Sequence, residues 1–223
     1  MKPRVQKVVK NLLFVLIFAV FGVASAGSYE EFFSAVQRDD SAKVRELLGR
    51  GFDANTVDPK GLSGLYLALS EPSPKVARVL VDWSKTDLNR LNGSGESALM
   101  IAALKGNLEL AAKLIVKGAD VNKTGWTPLH YAASSGHLAV IALLLDHSAY
   151  IDAESPNRTT PLMMAAMYGS PQAVKLLLQE GADPDIKNQQ GLTALNFAQR
   201  GNRIDSVEAI AGFIRSRRPA GQW

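Results

Sequence analysis

Few residues in this 223-residue chain have the types and spacing that chemistry needs. Cysteine is absent, which removes thiol nucleophiles, disulfides and cysteine–zinc sites together. Three histidines remain as candidate bases: His130, His137 and His147. Ser134 and Ser135 stand close to His137 in sequence, as a serine nucleophile would, but no carboxylate is placed to orient the imidazole. Gly93-Ser-Gly95-x-x-Ala98 has the outline of a dinucleotide-binding turn, which works only between a strand and a helix; Gly95 instead recurs in register as Gly61, Gly125 and Gly191. Asp53, Asp87, Asp120, Asp152 and Asp183 read as one acid per loop at a single repeated position, too far apart to converge on one cation. Catalysis needs groups that converge, and these do not, so no catalytic, metal-binding or cofactor-binding residue is assigned.

The elements carrying these residues explain their spacing better. The clearest stretch runs from Gly125 to Asn157. Thr127 is a helix N-cap and Pro128 suits the first helical position, where no amide donor is needed. Ala132 and Ala133 give that helix a thin face, Gly136 ends it, and His137 and Leu138 open a second helix. In the second helix Leu138, Ile141, Leu144 and Leu145 form one apolar stripe. A single helix pair cannot bury that stripe, so units of this kind must stack, each covering its neighbours.

Gly125-x-Thr127-Pro128-Leu129-His130, then Ala132-Ala133, Gly136-His137 and the leucine run resemble the ankyrin-repeat family. The resemblance implies an all-α repeat solenoid of about six helix-turn-helix units with finger loops at right angles to them, caps included. It also implies that His130 steadies its turn by hydrogen bonding. The expected units are 28–60, 61–94, 95–124, 125–157, 158–190 and 191–218, followed by a tail, 219–223.

The beginning of the chain reads as an export signal. Lys2, Arg4, Lys7 and Lys10 precede an apolar run from Leu12 to Val23, then Ala24-Ser25-Ala26. That run is shorter than the roughly 20 residues a membrane-spanning helix needs, and small residues at 24 and 26 suit a signal peptidase. Cleavage is expected after Ala26; an uncleaved anchor is the alternative. The formal charge of +4 comes from 25 basic and 21 acidic residues, and four of the basic ones belong to this leader. The remainder is balanced, which argues against a nucleic-acid partner. Export without cysteine fits a bacterial periplasm, with no membrane span left after cleavage.

The units depart from one another in ways that carry expectations. In the first, Ser28-x-x-Glu31 reads as a capping box and its polar residues suit an N-terminal cap. In the second, Gly64 stands where Pro128 stands in the fourth, so this unit is expected to fray first. From Gly118 to Gly125 is seven residues, whereas Gly51 to Gly61, Ser148 to Arg158 and Gly181 to Gly191 are each ten, so that finger is cut back beside Trp126. Past Ala198 the register of the last unit is expected to loosen by one residue, and its polar residues suit a C-terminal cap.

The ankyrin resemblance implies a partner protein docked on the concave surface made by first helices and fingers. The positions left free there are Leu62, Glu96, Leu104, Lys105, Trp126, Ser134, Ser135, Arg158, Met167 and Tyr168. Trp126, Met167 and Tyr168 carry most weight, because large amphipathic side chains dominate binding energetics once desolvated. The expected function is a monomeric, non-enzymatic periplasmic adaptor. Within the family two jobs are implied, a catalase-linked role in oxidative defence and immunity against a secreted toxin. A cryptic hydrolase and a purely structural spacer are the readings from other classes.

Overall fold

The computed structural model describes residues 27–217. The expected leader and the tail lie outside them. Twelve helices occur among the described residues. They are α1 (27–37), α2 (Ser41–Gly49), α3 (Gly64–Ser70), α4 (Pro74–Asp82), α5 (Ala98–Leu104) and α6 (Leu108–Val116). These are followed by α7 (Pro128–Ser135), α8 (Leu138–Asp146), α9 (Pro161–Met167), α10 (Pro171–Gln179), α11 (Ala194–Arg200) and α12 (Ile204–Arg217). They form six antiparallel pairs, and like stacks on like: α3, α5, α7, α9 and α11 make one row, and α2, α4, α6, α8, α10 and α12 the other. No helix among the described residues is long and apolar enough to cross a membrane.

The first row stacks closely because its contact face is alanine: Ala102, Ala103, Ala132, Ala133, Ala165, Ala166 and Ala198 have no exposed surface. Between the rows runs a leucine spine of Leu65, Leu99, Leu129 and Leu162 facing Leu47, Leu80, Leu114, Leu144 and Leu177, all buried. Each such side chain contributes roughly 1.5–3 kcal/mol on leaving water. In the last unit the equivalent of Leu162 is Leu195, which is only partly buried, as a terminal unit requires.

Two local expectations are corrected. The chain is already helical at Gly27, so Ser28 sits inside α1 and does not cap it. The last unit also keeps its register: Asn202 takes the left-handed turn at φ 52°, the place Gly136 fills at φ 71°, and α12 starts where the pattern requires. Asparagine tolerates that conformation better than most residues, so glycine was not needed there.

The fingers are tied by a side-chain ladder. Asn55, Asn89 and Asn122 each donate Nδ2–H to a carbonyl of the next finger, of Lys85 (2.8 Å), Gly118 (3.2 Å) and Ser148 (2.8 Å). Each Oδ1 accepts an amide N–H from the same neighbour, of Asp87, Asp120 and Tyr150. Asp152 fills this position in the next finger and accepts the Asp183 N–H. Asp152 therefore does not share the position of Asp53, Asp87, Asp120 and Asp183; Tyr150 does. Asp53, Asp87 and Asp183 instead accept the amide two residues on, closing their own turns.

Candidate protein-binding surface

Four fingers end in the same tight turn. Asp58, Asn92, Ser155 and Asn188 donate their N–H to the carbonyls of Leu62, Glu96, Thr159 and Leu192, each 2.9–3.0 Å away. The side chains of the same four accept the amides of those residues, at 2.8–3.0 Å. The finger before α7 has three residues fewer and no such turn. Its matching acceptor, the Trp126 carbonyl, receives the Lys123 ammonium instead, at 3.2 Å, and the same Nζ donates to Thr124.

Where the fingertip is missing, Trp126 stands half-buried with its ring edge-on to His130, centroids 5.2 Å apart. Beneath it is a recess of about 200 Å³ lined by Leu104, Trp126, His130, Tyr131, Ser134 and Met164. Met167 is half-buried one turn beyond Met164, and Tyr168 is 58% exposed. Lys105 and Ser135 are exposed, and the Ser134 hydroxyl is turned onto the Tyr131 carbonyl at 2.9 Å.

Two of the positions that looked free are held within the chain. Glu96 accepts from the Tyr66 hydroxyl (2.8 Å), the Asn92 amide (2.8 Å) and the Tyr131 hydroxyl (2.9 Å), so one carboxylate joins three successive units across the concave face. These bonds hold the Glu96 carboxyl below its usual range against the opposing effect of burial. Burial and the same carboxylate push the Tyr66 phenol up to about 12 and that of Tyr131 up as well. The Arg158 guanidinium forks onto Glu154 with two bonds of 2.9 Å. Tyr66, Tyr131 and Met164 were not among the sequence-derived positions. The signal was present: Tyr131 and Met164 share one register with Leu67, Ile101 and Phe197, the inward-facing row of the first helices.

Two of the three histidines, His130 and His137, are structural, and His147 is exposed at the end of α8. His130 has no exposed surface; its Nδ1 accepts the Thr127 N–H at 3.2 Å and its Nε2–H donates to the Thr159 carbonyl at 2.9 Å. Burial lowers its pKa to about 4, so it is a neutral bracket between two units. In the third and fifth units Met100 and Met163 take its place, their sulfurs accepting the amides of Ser97 and Thr160. His137 Nε2–H donates to the Leu104 carbonyl at 3.0 Å, tying the fourth unit to the third. Arg203 does the same to the Gly169 carbonyl. No group of three His, Asp or Glu able to hold a metal occurs among the described residues.

Stacked helix pairs with a varied, partly apolar concave face define a helical-repeat binding scaffold. The chain belongs to the ankyrin-repeat family: a family model described as ankyrin repeats in three copies matches residues 32–124, 73–155 and 149–215. Ankyrin repeats are protein-interaction modules. Among similar proteins is the nuclear factor NF-kappa-B p105 subunit of Gallus gallus, 33% identical over 165 residues. That match covers 71% of this chain but only 17% of p105. The putative ankyrin repeat protein YahD of Escherichia coli K12 is 29% identical over 76% of this chain and 88% of its own. Among solved structures, the ankyrin repeat protein EF0377 superposes with a TM-score of 0.71 and 28% identity, over 81% of this chain and 96% of that one. A chain of the complex between the Bd0816 predatory endopeptidase of Bdellovibrio bacteriovorus and immunity protein Bd3460 superposes with a TM-score of 0.70 and 28% identity. It covers 82% of this chain and 97% of its own.

Proposed function

We propose that this chain is a non-enzymatic adaptor of the bacterial periplasm that captures a partner protein on its concave face and fingers, and that the partner is an exported hydrolase it masks. The observation that carries the binding reading is the recess at Trp126, beside the finger that lacks its tip, with Met167 half-buried and Tyr168 exposed on the next unit. Apolar and aromatic side chains of this kind supply most of the energy when a partner excludes water from them. The leader-like residues Lys2 to Ala26 support export. Of the two jobs the family implies, immunity against a secreted toxin has the added support of the endopeptidase–immunity neighbour, and the masked partner is read here as such an enzyme.

The test is photocrosslinking in cells. A crosslinking amino acid at Trp126 or Tyr168 is expected to trap one stoichiometric protein in the periplasmic fraction, with a hydrolase activity that the purified chain inhibits. Crosslinks equally abundant from an exposed position on the second-helix row, such as Val116, would sink the concave-face reading. A trapped protein without inhibited activity would sink the masking role.

A further inference from the structure

A second concave feature lies two units before Trp126, where α1 meets α3. A cleft of about 840 Å³ opens there between the first two units, within the usual range for a ligand site. Tyr29, Phe33 and Tyr66 line it, and the Tyr29 and Phe33 rings touch with centroids 4.8 Å apart. Its charged lining is Glu30, Asp58 and Glu71 with a single base, Lys60. Among the described residues none of these three carboxylates has an ion-pair partner, although Glu31, Glu46, Asp82, Glu109 and Glu154 all do. Asp58 spends Oδ1 on its own turn, accepting from Lys60 and Leu62, while Glu30 and Glu71 are exposed. Burial, then the charges of Asp58 and Glu30, push the Tyr29 phenol up, so both carboxylates act on that ring.

Unpaired carboxylates beside aromatic faces attract a cation twice, by charge and by the ring quadrupole. A guanidinium suits both contacts better than an ammonium, being planar, weakly hydrated and able to fork onto a carboxylate. We infer that the cleft between the first two units is a docking site for an arginine-bearing extended segment of a partner protein. The inference rests on the reading of this chain as a protein binder but not on Trp126.

The test is an NMR titration of the purified protein with acetyl-Gly-Arg-Leu-Arg-Gly-amide. Saturable shifts are expected at Tyr29, Tyr66 and Glu71. The Glu30→Gln, Glu71→Gln double variant should weaken binding about tenfold, and raising salt from about 0.05 to 0.5 M should weaken it further. Trp126→Ala should leave the titration unchanged, so failure here and failure of crosslinking at Trp126 are read separately. The peptide with glutamine for both arginines binding equally, the double variant binding unchanged, or no saturation by about 5 mM would each overturn the inference. A lysine peptide binding as tightly would overturn the guanidinium assignment. Shifts at the same residues on concentrating the protein alone would seat a second copy there instead and overturn the arginine site. Circular dichroism melts of the variants, expected to match the parent, separate lost binding from lost fold.

Discussion

The Lys123 ammonium donates to the Trp126 carbonyl at 3.2 Å, taking over the bond that a backbone amide makes in the other four fingers after their extra residues. A side chain thus satisfies the acceptor while the space over Trp126 stays open.

Rebuilding the fingertip should close that space. Replacing Lys123-Thr124 with the sequence of residues 56–60, Thr-Val-Asp-Pro-Lys, restores the full finger length between Asn122 and Thr127. The grafted turn is expected to hold the Trp126 carbonyl with a backbone amide, leave the melting temperature within a few degrees, and cut partner capture about tenfold or more. Unchanged capture, measured by pull-down of the crosslinked partner, would show that the gap is not the way in.

His130 should make stability pH-dependent. Its folded pKa of about 4 lies below the ordinary 6.5, so the unfolded chain binds a proton that the folded chain refuses. Stability is then full above about 6.5, falls as pH drops, and levels off below about 4, a loss of about 3 kcal/mol. His130→Met copies Met100 and Met163, which make the same bracket with sulfur. Urea unfolding between pH 7 and 4 should show the slope in the parent and a flatter curve in His130→Met. Parallel curves would assign the slope elsewhere.

The repeat pattern showed the helix pairs and the short finger, because those rest on local residues: Thr127-Pro128 starts a helix whatever surrounds it, and a missing turn is a matter of counting. It did not show what Glu96 does, because that depends on Tyr66 and Tyr131, thirty and thirty-five residues away, meeting it across the stack. The same limit hid the cleft at Tyr29, whose walls come from α1, the first finger and α3. Asp152 was misplaced for a different reason: Asp-x-Asn and Tyr-Ile-Asp look alike unless the loops are aligned on their caps.

Asp152 should be a weak rung. Burial, then repulsion from Asp183, raise its pKa, partly offset by the Asp183 N–H it accepts. A deprotonated carboxylate also has no hydrogen for the Gly181 carbonyl, the acceptor that Asn55, Asn89 and Asn122 reach in their own neighbours. A raised carboxyl pKa means stability is present at acid pH and lost as pH rises through the folded value. Asp152→Asn is therefore expected to stabilise the protein by about 1 kcal/mol at pH 7, with the gain shrinking as pH falls into the carboxylate range. A neutral or destabilising effect at pH 7, by thermal melting, would mean that the ladder does not reach this finger.

Gly64 opens α3 where proline or alanine opens the equivalent helices, and its reason is Phe32. A Cβ on Gly64 would lie 2.6 Å from Cε1 and Cζ of that ring. Phe32 cannot retreat, being fully buried between Phe33 and Phe52. Helix preference favours alanine over glycine by at most about 1 kcal/mol, while overpacking a tight core costs about 1–3 kcal/mol, so the clash wins. Gly64→Ala is expected to lower the melting temperature although it strengthens the helix taken alone. Phe32→Leu makes room at the cost of apolar contact, so adding Gly64→Ala to it should cost much less than adding it to the parent, a coupling of about 1 kcal/mol or more. If Gly64→Ala instead raises the melting temperature of the parent, the glycine is a loose joint, as its residue type alone implies, and the first two units are held by something other than this ring.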